Sequence, residues 1–519
     1  MENTKADLVL SNARAVTLDT LHPDALTIYI QGDRILKVSK LDFDRSLTSR
    51  RTLVIDCAGK TVIPGFHDAH CHVVGYAENL VNVDVSPASV SSIEDIILKI
   101  EQTASIVPAG NWIRCTGYNE FYLAEKRHPT AHDLDRATTD HPIKLTHRSR
   151  HAHVLNTPAL AMAGITNKTT EPPGGMIDRD LETGEPNGVL YGMGRYLANV
   201  VPPLSDSDLD TAIKYAGKAL LSLGVTSVQD ASPGNDLNRW MQFLDWGKKG
   251  LFAPRTTLMF GPEQVEILPL HDRQSGLCSG AVKIVLDEVR GCLNPPQAEL
   301  NNLIAEIHSR HLQVAIHAVE ETTVAAAIVA LAFALEKYPL RGHRHRIEHC
   351  SICTADNAEK LAKLGATVVT NPSFIYYSGE RYVATVPKNQ IKHLYALNTM
   401  LKAGLKVAAG SDAPVAPPDP LKGIYSAVTR KAETGHVVLK KEAVSFVDAL
   451  RLYTINAAYS CFREMQLGTI SRGKYADLAV LNLDSGRIRP DELMDLKVDM
   501  TILAGKVVYR RTAQANYLL

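Results

Sequence analysis

The middle of this chain alternates short apolar runs of β type with longer stretches of helical texture, and nothing else in the sequence constrains the fold as strongly. Eight such runs stand out: Val62–Phe66, Val225–Gln229, Arg255–Phe260, Val282–Leu286, Gln313–Ile316, His345–Ile347, Thr367–Thr370 and Lys406–Ala409. Helical texture falls between them, as at Asp206–Leu223, Pro296–Ser309, Val324–Tyr338, Ala355–Leu364 and Ile391–Ala403. Strands alternating with helices argue for βαβ units and a parallel sheet. Eight of them match the count of a (β/α)8 TIM barrel, the α/β architecture expected here in preference to an open doubly wound sheet.

One spacing breaks the rhythm. His72 and Gly224 are 152 residues apart, where one barrel unit takes about 30. An insertion after the first strand, about residues 105–205, is rich in Pro, Gly, His and Arg, with turns at Pro172-Pro173-Gly174-Gly175 and Pro186-Asn187-Gly188. A structureless loop of that length is foreign to a compact domain, so the segment is expected to fold as a lid or subdomain. The two ends have a third texture, of short β runs broken by Gly turns: ALTIYIQGDRILKVS near the start, GTISRGKYADLAVLNLD and VDMTILAGKVVYR near the finish. Neither end alone has strands enough to bury a face. Residues 1–62 and 466–519 are therefore expected to pair into one β-rich domain, with the barrel spanning 63–465.

Composition excludes some classes of function. Lys+Arg and Asp+Glu both number 56, giving a formal net charge of zero; a chain built to grip phosphates would carry a basic excess, so no nucleic-acid partner is expected. The longest apolar stretch, Val324–Leu335, is 12 residues, short of the roughly 18 that span a bilayer, and reads as a buried Ala-rich helix. MENTKADLVL places charges where a secretory signal carries its apolar run. Eight cysteines in 519 residues are too sparse for a disulfide framework. A reduced, soluble, cytoplasmic protein is expected, with no membrane partner.

The chemistry gathers at the strand exits. PGFHDAHCH, at the first, places His70 and His72 two residues apart; on extended backbone both imidazoles point to one side and can meet one cation. GAVKIVLDE, at the fourth, carries Lys283 within an apolar run. That lysine is either a snorkelling rim residue or one that takes up CO2 to become a carbamate able to bridge two metals. QVAIHAVEE ends the fifth with His317, HRIEHC the sixth with His349, and VAAGSDAPV the eighth with Asp412 beside Ser411. In a barrel, functional residues collect at the C-terminal ends of several strands. Six metal-competent side chains at equivalent topological positions therefore converge on one face.

These residues resemble the amidohydrolase superfamily, and more narrowly its amidohydrolase-3 branch, which includes N-substituted formamide deformylases. NWIRCTGYNE, HPTAHDLDRATTDHPIKL, HAHVLN, PPGGMIDRD with GEPNGVL, GVTSVQD, LYTINAA and GTISRGKYADLAVL resemble that branch too, so the likeness covers essentially the whole chain. It implies that His70, His72 and Asp412 bind one metal. It implies further that Lys283, carboxylated, bridges to a second metal held by His317 and His349, and that the two ends form a composite β-sandwich. Zinc is the expected ion, since imidazoles and carboxylate oxygens suit it. The implied reaction is hydrolysis of an amide C–N bond (N-substituted formamide, N-acyl amine or cyclic amide) by metal-activated hydroxide, with Asp412 as general base and then acid. His151 matches a histidine of the branch pattern and is expected at the substrate or its oxyanion, unless it is a surface histidine of its His/Arg-rich loop.

The sequence also departs from the branch. Glu288 stands where a Gly is usual, and Glu320 and Glu321 where a small residue and an Asp are usual. Both lie where substrate is expected. His317 to Glu320 resembles the H-x-x-E of hydrolytic deaminases of the same superfamily, which act on aminated heterocycles with one metal, a Glu proton donor and no bridging Lys; Lys283 discriminates against them. A non-catalytic scaffold is disfavoured because all six ligand positions are filled. NPSFIYYSGERY is expected to form an active-face loop presenting Phe374, Tyr376, Tyr377, Arg381 and Tyr382. Its rings then line a pocket and Arg381 meets a carboxylate, or the group serves packing instead. Cys350-x-x-Cys353 lacks a redox context, Cys71 is expected to face away from its flanking histidines, and Lys440-Lys441-Glu442 reads as solvated surface. The expected partner is a small-molecule substrate, with a homodimer left open.

Overall fold

The computed structural model describes residues 5–41, 43–172, 174–267, 276–289, 291–483, 489–490 and 492–511. Pro173 of the turn at 172–175 and the outermost residues of both ends, expected to belong to the β-rich domain, lie outside them. The chain forms two compact units. The first comprises Met1–His72, Gly217–Ala413 and Pro417–Leu519; the second comprises Val73–Ala216 and Pro414–Ala416.

The first unit holds an eight-stranded parallel sheet made of β1 (Phe66–Cys71), β2 (Val225–Asp230), β3 (Arg255–Phe260), β4 (Leu277–Val285), β5 (Val314–Ala318), β6 (Arg346–His349), β7 (Thr367–Thr370) and β8 (Lys406–Ala409). Neighbours in the sheet are neighbours in sequence, and all pair in parallel. The ends are seamed by backbone bonds from Asp412 N to His70 O (2.7 Å) and from His72 N to Ala413 O (2.8 Å). The seam is tight enough that a Cβ on Gly410 would come within 2.5 Å of His70 N. Only glycine fits there, and it lets the exit of β8 press Asp412 against β1.

The expected strand at Val62–Phe66 is corrected. Thr61–Pro64 pairs antiparallel with Leu478–Leu481 in a different sheet, and the barrel strand begins at Phe66. The switch falls at Pro64-Gly65: proline has no N–H for a following ladder, and a Cβ on Gly65 would sit 2.3 Å from Thr226 Oγ1. His70, His317 and His349 lie inside β1, β5 and β6 rather than beyond them, and Lys283 lies inside β4 as expected. Two further expectations fail locally. Ser373–Thr385 is a helix, not a loop. The helix foreseen at Ile391–Ala403 is two, Lys388–Ile391 and Leu397–Lys402. The break is held by Tyr395, which is at φ 44° with its N–H bonded to Ser351 O at 2.7 Å.

Both chain ends enter one six-stranded sheet. Arg14–Val16, Asp24–Ala25 and Thr61–Pro64 come from the start, and Leu478–Leu481, Val498–Leu503 and Lys506–Arg510 from the finish. A four-stranded sheet of Leu8–Ser11, Thr27–Gln31, Arg34–Ser39 and Leu53–Asp56 accompanies it. Leu10, Ile28 and Ile30 of the smaller sheet share one apolar cluster with Val62, Leu478, Val480 and Ile502 of the larger.

The second unit is built on a six-stranded mixed sheet. Helix Ile93–Ala104 starts at a Ser92/Asp95 capping box and buries Ile93, Ile96, Ile97 and Ile100. That spacing is one helix face, and it packs with Ile113, Cys115, Ile143 and Leu145 of the sheet. The apolar stretch Val324–Leu335 lies in helix Glu321–Lys337, with Val329 and Phe333 exposed. Among the described residues no helix is long and apolar enough to cross a membrane. All eight cysteines are free thiols.

Candidate metal centre

Three of the expected ligands meet directly. His72 Nε2 lies 3.1 Å and His70 Nε2 3.4 Å from Asp412 Oδ1. One donor atom from each of His70, His72 and Asp412 falls within 4.8 Å of the others. The outer nitrogen of each imidazole is already engaged: His70 Nδ1 with Glu348 Oε2, and His72 Nδ1 with Ser232 Oγ at 2.9 Å. Such partners fix ring orientation, and for His70, whose Nδ1–H donates to the Glu348 carboxylate, they leave Nε2 with its lone pair. His70 Nε2 is buried and has no hydrogen-bond partner, which fits a side chain shaped to hold a cation rather than a proton.

His349 and His317 extend the group. The His349 ring lies 4.7 Å from that of His70 and 4.5 Å from that of His317, centroid to centroid. Its Nδ1 bonds Asn371 Oδ1 at 2.8 Å, and His317 Nε2 lies 3.6 Å from Asp287 Oδ1. Lys283 is 2% exposed. Burial draws its ammonium pKa down, against the pull of Glu348 and Asp412, which favours the neutral amine that CO2 requires. Burial, with Lys283 next, lowers His70 to about 3. His317 and His349 are also lowered, by burial first and then by neighbours. Burial would raise Asp412, but its hydrogen bond to His72 and the surrounding imidazoles hold it well below the usual carboxylate range. His70, His317 and His349 are thus held neutral beside an ionised carboxylate, the donor chemistry of a divalent-metal site.

The strand exits are strained to achieve this. His349 has φ 67°, Cys350 φ 48° and Asp412 φ 57°, left-handed conformations that cost non-glycine residues on the order of 1 kcal/mol each. Beneath the site, Arg346 and Glu348 are fully buried and paired at 2.5 Å. Burial would raise Glu348, but Arg346 and His70 keep it ionised. Neither residue was foreseen as functional. The available signal was a pair of opposite charges two apart inside a four-residue buried strand, where each needs a partner. Asp68 was also overlooked; it accepts from Ser411 N at 2.9 Å and His70 N at 3.2 Å, tying β1 to the exit of β8.

The expected substrate contacts are more scattered. Glu288 is exposed and accepts from Thr322 Oγ1 at 2.6 Å; Glu320 is exposed at the start of helix Glu321–Lys337 and accepts from Thr323. His151 is exposed in the second unit. Phe374 is half-buried in a cluster with Ile352, Leu394 and Tyr395, Tyr377 stands edge-on to Tyr376, and Arg381 lies over the Tyr382 ring at 4.8 Å. Because this segment is helical, Phe374, Tyr377 and Arg381 share a face at i, i+3 and i+7, while Tyr376 is buried.

An eight-stranded parallel barrel with imidazoles, a buried lysine and a carboxylate at its strand ends defines a metal-dependent hydrolase. The chain belongs to the amidohydrolase family, which it matches over residues 53–509. It is 30% identical to YtcJ of Bacillus subtilis (strain 168), whose name assigns it provisionally to the amidohydrolases, over 89% of this chain and 92% of that protein. It is 29% identical to the N-substituted formamide deformylase of Arthrobacter pascens, over 98% of this chain and 99% of that one. Among solved structures, an uncharacterized metal-dependent hydrolase from Pyrococcus furiosus is similar with a TM-score of 0.70 at 25% identity, covering 93% of this chain and 99% of that chain.

Proposed function

We propose that this enzyme hydrolyses the C–N bond of a small amide, with His70, His72 and Asp412 holding one divalent ion and His317 and His349 a second. Lys283, once N-carboxylated, would supply a further oxygen donor to them. The observation that carries this reading is Lys283 itself: a lysine buried among His70, His317, His349 and Asp412 has no purpose in a single-ion deaminase site. Zinc suits the donors. Bound there, it supplies a water of pKa about 7 and polarises the carbonyl oxygen.

The protein's own groups then divide the work. Glu348 holds His70 through Nδ1, and Ser232 holds His72. Asp412 accepts a proton from the attacking water and returns it to the leaving nitrogen, so one water is consumed and a carboxylic acid and an amine are formed, as separate products from an acyclic amide and within one ring-opened product from a cyclic one. N-substituted formamides, N-acyl amines and cyclic amides are the proposed substrate classes. Phe374, Tyr377 and Arg381 are proposed as contacts from one helix face, supported by Arg381 Nε being buried without a hydrogen-bond partner. His151, Glu288 and Glu320 are proposed as contacts from exposed positions.

Metal quantification, combined with a panel of those amides and of aminated heterocycles, tests the reading. Formate or another carboxylate released in proportion to bound zinc is the expected result. Ammonia released from the heterocycles would replace it with a deaminase using Glu320. A chain that binds no metal and gains nothing from zinc would overturn both.

A further inference from the structure

The second unit contains a cavity of about 390 Å³ that none of the six metal-site residues lines. It sits on one face of the unit's sheet. Strand Ile113–Tyr118 pairs in parallel with Ile143–His147, placing Arg114 opposite Lys144 and Thr116 opposite Thr146. Strand Ala152–Leu155 pairs antiparallel on the other side, placing His153 opposite Thr146. Side chains alternate along a strand. Ile113, Cys115, Ile143, Leu145 and Val154 therefore enter the apolar core, while Arg114, Thr116, Lys144, Thr146 and His153 all line the cavity.

A sheet face opposite an apolar core is ordinarily solvated. This one is recessed into the cavity, and its lining carries more positive than negative charge. Arg114, Lys144 and Arg150 face the cavity with one carboxylate, Glu78, among the lining residues. Glu78 lies 3.9 Å from Arg150, and Arg114 spends one N–H on Pro202 O at 2.6 Å. Among the described residues, the Lys144 ammonium has neither a hydrogen bond nor an ion pair. Like charges directly opposite on paired strands destabilise a sheet unless something neutralises them. His153 is 5% exposed, and its Nε2 is buried with no partner while Nδ1 is 3.3 Å from Thr146 Oγ1. With the threonine donating to Nδ1, Nε2 carries the proton and offers it to the cavity.

We propose that this cavity binds a small oxyanion, the phosphate or carboxylate group of a metabolite-sized ligand, held by Arg114, Lys144, Arg150 and the Nε2–H of His153. The volume suits a small molecule, and the guanidinium and ammonium donors suit anionic oxygens. Burial, with Arg150 next, lowers Lys144 to about 8. Burial, with Lys144 next, lowers His153 to about 3. In both, burial leads and the neighbouring cations add to it, with Glu78 opposing the shift at Lys144.

Calorimetric titration of the metal-loaded full chain with inorganic phosphate, and separately with succinate, tests the proposal. Saturable binding of either is expected, weakened by about tenfold or more in Lys144→Met and in Arg150→Gln. Phosphate alone binding would identify a phosphate-bearing ligand, and succinate alone a carboxylate-bearing one. Because the variants remove buried charge and can shift packing, a second measurement uses the unaltered chain. Acetic anhydride labelling mapped by mass spectrometry should show Lys144 protected by the binding anion, with the exposed Lys168 and Lys214 unchanged. Binding of neither anion, equal affinity in Lys144→Met, or no protection of Lys144 would each overturn the proposal.

Discussion

The metal centre and the cavity of the second unit both bury nitrogen-rich groups, but they balance charge in opposite ways. At the metal centre the chain supplies counter-charges of its own: Arg346 pairs with Glu348, Glu348 also receives His70, and His72 meets Asp412. Neutrality is met inside the fold, so the inner imidazole nitrogens are left over for an ion. In the second unit Lys144 is opposite Arg114 and near Arg150, with Glu78 as the lining carboxylate. There the fold leaves a charge for a ligand to cancel. Buried polar atoms without partners occur in both, but in the first they are electron-pair donors and in the second they are proton donors.

Removing a group from the first region should have the largest effect. Asp412→Asn keeps the shape but loses the base, and kcat should fall by about 10³-fold in an assay of the best amide substrate; retention of near-normal turnover would remove Asp412 from the reaction. Lys283→Met should fold, since it exchanges a buried amine for a buried thioether. It should lose about half the bound metal, as measured by atomic emission, along with most activity. Undiminished metal content would sink the two-ion reading.

Glu348→Gln breaks the internal balance itself. It leaves Arg346 buried without a full counter-charge, and such a loss costs about 3–5 kcal/mol, read as a lower urea midpoint at constant slope. Metal affinity should also drop by about 10–100-fold as His70 loses its anionic partner. The double variant Arg346→Met/Glu348→Leu separates the two roles: stability should largely return while metal affinity stays low. A midpoint like that of the unaltered chain in Glu348→Gln would show that the pair contributes nothing to the balance.

The same contrast explains what was legible in the sequence. His70, Lys283, His317, His349 and Asp412 stand out because a metal-competent side chain in or at the end of an apolar run is unusual, and the apolar run itself, repeated eight times, gives the barrel. Glu348 and Arg346 were equally visible as letters, but their pairing depends on packing inside the barrel. The start of β1 was misplaced because Val62–Phe66 reads as one apolar run, and only tertiary pairing divides it between Thr61–Pro64 and Phe66–Cys71. The aromatic run at Ser373–Thr385 suggested a loop, although its spacing also suits the helix it forms. The cavity was illegible for a different reason. Arg114, Lys144 and His153 lie on three separate strands whose polar positions alternate as on any solvated face, and only the strand order unites them.

The smallest effect is the one that isolates the second region. A lysine lowered to about 8 in the fold, against about 10.4 when unfolded, binds fewer protons folded than unfolded across that interval. Stability should therefore rise with pH from about 8 to about 10, by a ceiling of about 3 kcal/mol. The groups facing Lys144 are Arg150, Arg114, Glu78 and His153. The His153 imidazole, already lowered to about 3, stays neutral across this range, so the change is assigned to the lysine. Other groups titrate there as well, so the measurement is the difference in urea midpoint between the unaltered chain and Lys144→Met at pH 7.5 and at pH 9.5. The variant should be the more stable at the lower pH, and the gap should close at the higher. Saturating anion should shrink the gap at pH 7.5, because a bound oxyanion supplies the counter-charge that the barrel obtains from its own glutamate. A gap that is the same at both pH values would mean that Lys144 is already neutralised by the chain, and the contrast between the two regions would disappear.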